Sequence, residues 1–201
     1  MNRIVWDRRG FTTAELLVAA LFGMIVMATL YGFFREQMFN LLSQETKTAT
    51  REDTRGGLDL MVREFRNSGS WGSGTQPASC ERVASATSTK IQIQADLDGN
   101  GNCSSATGED VTYELTGSTI TRNGSSHPLV DNVVLPSGNS FLTYYKSDNT
   151  SFTPANTSAD RALIKRVKIT FAVEVPDPTP DGKAAGRMIR STLSSSVVFR
   201  N

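Results

Sequence analysis

The sequence predicts an α+β protein, with one long N-terminal helix packed on a domain of antiparallel strands. Three observations predict it. Residues 16–34 carry no charge and run on into a helical apolar repeat that stops near Asn67-Ser68-Gly69. From residue 68 onward Ser, Thr, Gly and Asn dominate. Within that region apolar residues alternate with polar ones in short runs, the period of strands with one buried face.

The apolar segment comes first. Its nineteen residues, 16–34, make a helix about 28 Å long, close to a bilayer core of about 30 Å and longer than the apolar part of a secretory signal. No small-residue cleavage site in a polar flank follows it. It ends in Tyr31, Phe33, Phe34 and then Arg35, an interfacial flank, while Arg3, Arg8 and Arg9 precede it. The positive-inside tendency keeps that basic leader cytoplasmic and puts everything after Arg35 on the far side. An uncleaved signal anchor is the plainer alternative.

Glu15 stands at the mouth of this helix. A carboxylate beside hydrocarbon costs about 2.5–3.5 kcal/mol on insertion scales, so it requires a partner. Thr12-Thr13-Ala14-Glu15 fits the S/T-x-x-E capping box, where an acid also suits the helix N-terminus. Cleavage after Gly10 would offer another partner, a new α-amino group at Phe11 that Glu15 of a neighbouring copy can pair with.

Beyond the apolar segment, Met38, Phe39, Leu41, Leu42, Thr46 and Ala49, then Leu58, Met61, Val62 and Phe65 recur at three-to-four spacing. Residues 35–67 are therefore read as an amphipathic continuation of the same helix. The run Arg51-Glu52-Asp53-Thr54-Arg55 is a solvated face, and Gly56-Gly57 is expected to kink or weaken the helix. In the head domain, residues 68–201, strands are expected at 90–95, 111–115, 119–122, 129–135, 140–146 and 166–175, with Gly117-Ser118 as a turn. In the strand at 166–175, Val167, Ile169, Phe171, Val173 and Val175 should face the core and the alternate residues should be wet. Residues 176–182, Pro- and Asp-rich, read as an exposed loop, and 187–200 as the final strand.

Cys80 and Cys103 are the only cysteines. On the exported side a disulfide is expected rather than two free thiols. Closing a loop of that length stabilises by about 3–3.5 kcal/mol in the chain-entropy model. Asp96-x-Asp98-x-Asn100-Gly101, followed by Asn102, matches the first half of an EF-hand loop, but Thr107 holds the twelfth position where a Glu is needed. Two readings stay open: a Ca2+ loop completed by Glu109 or Asp110, or a hairpin loop whose Asp, Asn and Gly make Asx turns.

Nothing points to an enzyme. There is no G-x-S-x-G, H-E-x-x-H, P-loop or dinucleotide fingerprint. The single histidine, His127, precedes Pro128 as a strand start or surface residue would. Trp71, Tyr144 and Tyr145 lack the basic interleaving of a nucleic-acid stacking surface and read as packing residues. The formal charge is +1, and removing residues 1–10, with three Arg and one Asp, makes it −1. No global electrostatic footprint for nucleic acid follows.

The segment Gly10-Phe11-Thr12-Thr13-Ala14-Glu15-Leu16-Leu17-Val18-Ala19 resembles the G-F-[ST]-x-x-E-x-[LM]-V-A signature of type IV pilin-like proteins. Ala14 replaces the larger aliphatic residue common there. The stretch from Met61 through Arg63-Glu64-Phe65-Arg66-Asn67-Ser68-Gly69 to Trp71-Gly72 is similar to R-E-[IFL]-R-x-[AS]-G-[YFW]-x-G of PilW-type minor pilins. So are the order of the Asp96 loop and the Glu109-Asp110-Val111-Thr112-Tyr113 strand, Ile120-Thr121-Arg122, and the closing Val197-Val198-Phe199-Arg200-Asn201.

The resemblance implies that residues 1–10 are a leader cut by a prepilin peptidase after Gly10. It implies that Phe11 is then N-methylated, that Glu15 serves filament assembly, and that residues 11–34 form the assembly helix. It implies a non-enzymatic minor pilin with no required cofactor, which primes or caps a type IV pilus with other minor pilins, the major pilin and a tip adhesin. The subunit would wait in the bacterial inner membrane, then leave it for an extracellular pilus or a periplasmic pseudopilus. A J-type pseudopilin of a type II secretion system shares these features. A DNA-uptake binding subunit is the alternative of another class.

Overall fold

The computed structural model describes residues 10–124 and 126–199. The basic leader residues Arg3, Arg8 and Arg9 and the terminal Arg200-Asn201 lie outside the described residues.

The first helix, α1, spans Thr13–Asn67 without a break, 55 residues or about 82 Å. Thr12 caps its start. At its end the Ser68 N–H donates to the Glu64 carbonyl at 3.0 Å, the Ser68 hydroxyl to the Phe65 carbonyl at 2.8 Å and the Ser70 N–H to the Asn67 carbonyl at 3.0 Å, so three of the last four carbonyls have donors. Among the described residues, its first stretch, residues 13–31, stands clear of the rest of the chain. An 18-residue window there has a mean hydropathy of 2.2, and none of it is buried. One helix is thus long and apolar enough to cross a membrane.

The second half packs on the head through a stripe at helical spacing: Thr50, Thr54, Gly57, Leu58, Met61 and Phe65 are buried. The line extends downward through the half-buried Thr46, Ser43 and Phe39. The hydroxyls of Thr46, Thr50 and Thr54 each donate to the carbonyl four residues earlier, so three inward-facing threonines leave no orphan donor. Met38, Leu41 and Leu42, expected on the packed face, are exposed instead. Leu41 lies across the helix from Phe39, Ser43 and Thr46, while Met38 and Leu42 flank that line, and together they prolong the uncovered apolar surface.

The expected weak point at Gly56-Gly57 is also corrected. The helix continues through both, and Gly57 serves close approach: a Cβ there would meet Val130 Cγ2 at 2.5 Å, whereas Gly56 faces open space.

The head holds two antiparallel sheets. The first is a meander of β1 Val83–Ala86, β2 Lys90–Gln94, β3 Asp110–Thr116, β4 Thr119–Arg122 and β5 Pro128–Val130, in that order. The second contains β6 Val133–Val134, β7 Leu142–Tyr145, β8 Ser151–Phe152, β9 Arg166–Pro176 and β10 Met188–Val198. Its order is β10-β9-β7-β8, with β6 also paired to β9. The single strand expected at 129–135 is therefore two strands in different sheets. Asn132, with φ 56°, turns the chain from one sheet to the other.

β9 is central, and it is covered more fully than its alternation predicts. Val167, Ile169, Phe171 and Val173 are buried as expected, but Thr170 and Ala172 of the opposite face are buried too. Ala172 sits in register between Thr192 of β10 and Val134 of β6, so neighbours on both sides cover a small side chain. The expected exposed loop at 176–182 contains a capped turn of helix, α3 Pro180–Ala184, with Thr179 as its N-cap. A second short helix, α2, is Ser158–Ala162.

One core joins these layers. The Phe65 ring meets Tyr113 edge-on with centroids 5.7 Å apart, and Phe199 packs on Phe65 at 6.3 Å. Phe141 and Phe171 form a second edge-on pair.

The two glycines give opposed predictions. Gly56→Ala should raise stability by up to about 1 kcal/mol through helix propensity. Gly57→Ala should lower it by about 1–3 kcal/mol, because overpacking against Val130 outweighs the same propensity gain. Chemical denaturation of the two variants beside the parent chain reads the difference, and equal effects would contradict the close approach at Gly57.

Candidate functional site

The N-terminal positions singled out by the sequence form a local arrangement. Gly10 and Phe11 precede α1, with Phe11 90% exposed and no atom within 4 Å of a Cβ built at Gly10. Among the described residues nothing crowds the peptide between them. Thr12 and Glu15 make the full capping box. The Thr12 N–H and hydroxyl both donate to Glu15 Oε2 at 2.9 Å, and the Glu15 N–H donates to Thr12 Oγ1 at 3.3 Å. Both bonds to the carboxylate fall on Oε2. Among the described residues Oε1 has no partner, so capping and a second interaction are geometrically compatible.

The loop after β2 draws its acids together. Asp96, Asp98 and Glu109 place carboxylate oxygens within 4.8 Å of one another, and Asp96 and Glu109 are buried. Asp96 accepts the backbone N–H groups of Gly99 at 2.8 Å and Gly101 at 3.1 Å. Asp98 accepts from the Asn100 backbone and side chain, and Asn100 in turn accepts the Asn102 N–H at 2.7 Å. Glu109 accepts the N–H groups of Leu97 and Asp98 and, on its other oxygen, the Thr107 hydroxyl at 2.6 Å.

Of the two acids that might complete the loop, Glu109 is the one brought in. Asp110 points elsewhere, to the amides of Gln92 and Gln94. Asn100 and Asn102 are bound within the turn. Three carboxylates make a donor set suited to a hard cation. Equally, every oxygen of Asp96 and Glu109 already accepts a hydrogen bond from the protein, which is how a loop of Asx turns holds itself.

The segment leaving α1 locks onto this loop. Trp71 bridges to Asp96 in parallel fashion, and the Gly72 N–H donates to the Asp96 carbonyl at 2.6 Å. A Cβ on Gly72 would lie 2.8 Å from the Gly99 nitrogen, so two backbones touch where no side chain fits. Cys80 and Cys103 are joined as a disulfide with Cα atoms 5.8 Å apart. It ties the approach to β1 to the far end of the acidic loop.

A charged cluster that the sequence did not reveal fastens α1 to the first sheet. Glu64 receives Arg122 through Nη2 at 2.9 Å and Nε at 3.2 Å, and also the Tyr113 hydroxyl. Burial, then the Glu64 carboxylate, pushes the Tyr113 hydroxyl well above its ordinary range; the same carboxylate raises Arg122. The signal was an acid next to the buried Phe65 on a helix, but its partners lie 49 and 58 residues away.

A cleft of about 250 Å³ beside Trp71 is crossed by the Glu81–Arg161 ion pair. Tyr144 is core, its hydroxyl bonded to the Thr87 carbonyl at 2.7 Å, while Tyr145 stacks under Arg166. With Tyr144 enclosed, these aromatics do not form a common stacking surface. His127 is exposed beside Ser126 at the start of β5.

Glu109 carries a pH prediction. The Thr107 hydroxyl and the backbone N–H groups of Asp98 and Leu97 hold its carboxyl below the ordinary range. An unfolded Glu titrates near about 4.3, so the stabilisation is fully present above that pH and is lost as pH falls through the folded value. In acid titrations followed by circular dichroism, Glu109→Gln should flatten the decline of stability below about pH 4.3. A parallel decline in parent and variant would contradict it.

No family model, no curated protein and no solved structure matches this chain.

Proposed function

We propose that this chain is a minor pilin, a filament subunit that works by assembly and carries out no catalysis. The observation that carries the reading is the pairing of an uncovered, membrane-length helix with a single carboxylate at its mouth, four residues after an open Gly10-Phe11 peptide. The head buries only residues of the second half of α1, from Thr50 to Phe65. Among the described residues, residues 13–31 have no partner within their own chain and are left for lipid or for the equivalent helices of neighbours.

In this reading a prepilin peptidase cuts after Gly10. The freed Phe11 amine is a cation, and Glu15 of a neighbouring subunit supplies its counter-charge within the apolar bundle, where an unpaired charge is costly. The carboxylate oxygen not used by Thr12 is the one available to that amine. Subunits then leave the inner membrane as their apolar helices exchange lipid for one another. The disulfide supports an exported head, since such bonds persist outside the reducing cytosol. The expected partners are other minor pilins, the major pilin and a tip adhesin.

Mass spectrometry of the mature subunit should find an N-terminus at Phe11 carrying a methyl group. Glu15→Ala should be processed normally yet reduce filament number at least tenfold by electron microscopy, the loss expected when about 1.4 kcal/mol or more of pairing is removed. Filaments in normal number, or a mature chain that still begins at Met1, would overturn the reading. The proteins co-purifying with the parent filament distinguish a pilus from a secretion pseudopilus.

A further inference from the structure

The β9–β10 hairpin runs back along α1 toward the apolar segment. Its tip closes a cleft of about 500 Å³ against the helix, lined by Gly32, Arg35, Glu36 and Lys47 of α1 and by Asp181 and Arg187 of the tip. The inference that follows rests on residues 16–34 spanning a membrane. A headgroup layer of about 5–7 Å beyond the hydrocarbon then covers roughly four further residues of a helix. Arg35 and Glu36 fall within that layer and Gly32 at its lower edge, and the cleft rises from them to Lys47, so the hairpin tip faces α1 from the headgroup layer upward.

The tip is built as a firm, charged protrusion. Thr179 caps α3 by accepting the Gly182 N–H at 3.0 Å, and Asp177 accepts the Thr179 N–H and hydroxyl at 3.0 and 2.8 Å. Lys183, Ala184 and Ala185 are exposed, Met188 is half exposed, and Arg187 projects beside them. Among the described residues, none of Arg35, Lys47, Lys183 and Arg187 forms a salt bridge, although Arg35 lies over the Phe39 ring. The Thr179 N–H and hydroxyl hold the Asp177 carboxyl below its ordinary range, and Arg187 and Lys47 lie near enough to lower it further. Their long apolar stems let charged ends reach a polar layer from an apolar edge. Guanidinium and ammonium groups suit lipid phosphates, and Glu36 and Asp181 suit the ammonium of a zwitterionic headgroup.

We propose that the tip of the β9–β10 hairpin is a membrane foot: it seats on the phospholipid headgroups of the leaflet from which α1 emerges and fixes the tilt of the head above it. A rigid strand pair in unbroken register from Val198↔Arg166 to Met188↔Pro176 connects the foot to the core. Headgroup contact is thereby transmitted to the whole head.

The test uses the full chain in phospholipid vesicles and Trp fluorescence, with the parent spectrum subtracted. Ala184→Trp should lose most of its added emission to lipids bearing a nitroxide on the headgroup and little to lipids labelled deep in the acyl chain. Ala20→Trp, in the apolar segment, should show the reverse. Adding Lys183→Glu and Arg187→Glu to Ala184→Trp should restore the emission. If neither lipid quenches Ala184→Trp while the deep label quenches Ala20→Trp, the foot is wrong and the spanning helix stands. If the deep label does not quench Ala20→Trp, the spanning reading fails and the foot falls with it.

Discussion

The head depends on the seating of the last turns of α1. Leu58, Met61 and Phe65 enter a core that both sheets share, and Glu64, one residue off that face, receives Arg122 and Tyr113. Neither sheet is broad enough to bury its apolar face alone, and β5, β6 and β8 are only two or three residues long. The helix supplies the common surface. The charged contact fixes rotation about the helix axis, because a helix turned by one residue would withdraw Glu64 from both partners. Apolar burial supplies most of the stability, and the Glu64 cluster supplies register.

Legibility in the sequence followed the range of each interaction. The capping box, β2, β3, β4 and the turn between the last two stood at the positions that local periodicity indicated. The disulfide was legible because two cysteines allow one pairing. The packed face of α1 near Met38, Leu41 and Leu42 was misread, since apolar residues on both sides of the helix repeat at similar spacing. Only contact with the sheets decides which side is covered. The break at Asn132 was hidden because apolar residues continue on both sides of a turn that needs just one positive φ.

The candidate sites show the same division. Thr12 and Glu15 are three residues apart, so their interaction could be read directly. The acids of the 96–102 loop were visible, but the choice of Glu109 over Asp110 rests on the alternation at the start of β3: Glu109, just before the strand, and Asp110, its first residue, point to opposite sides. Glu109 turns toward the loop and Asp110 toward Gln92 and Gln94. The Glu81–Arg161 pair spans 80 residues and left no local trace.

The position of Phe199 has a consequence for timing. Its ring packs on Phe65, Arg82 lies over the ring, and Val197, two residues earlier, is buried in the same core. Two of the residues that close the core thus come from the final strand and the residue after it. A head without residues 188–199 lacks β10, the longest of the strands paired to β9, and uncovers the Phe65 end of α1. The core cannot close before residues 188–199 are available, and contacts this distant in sequence form slowly. Until residue 199 has arrived, whatever machinery handles this chain is handling an unfinished core.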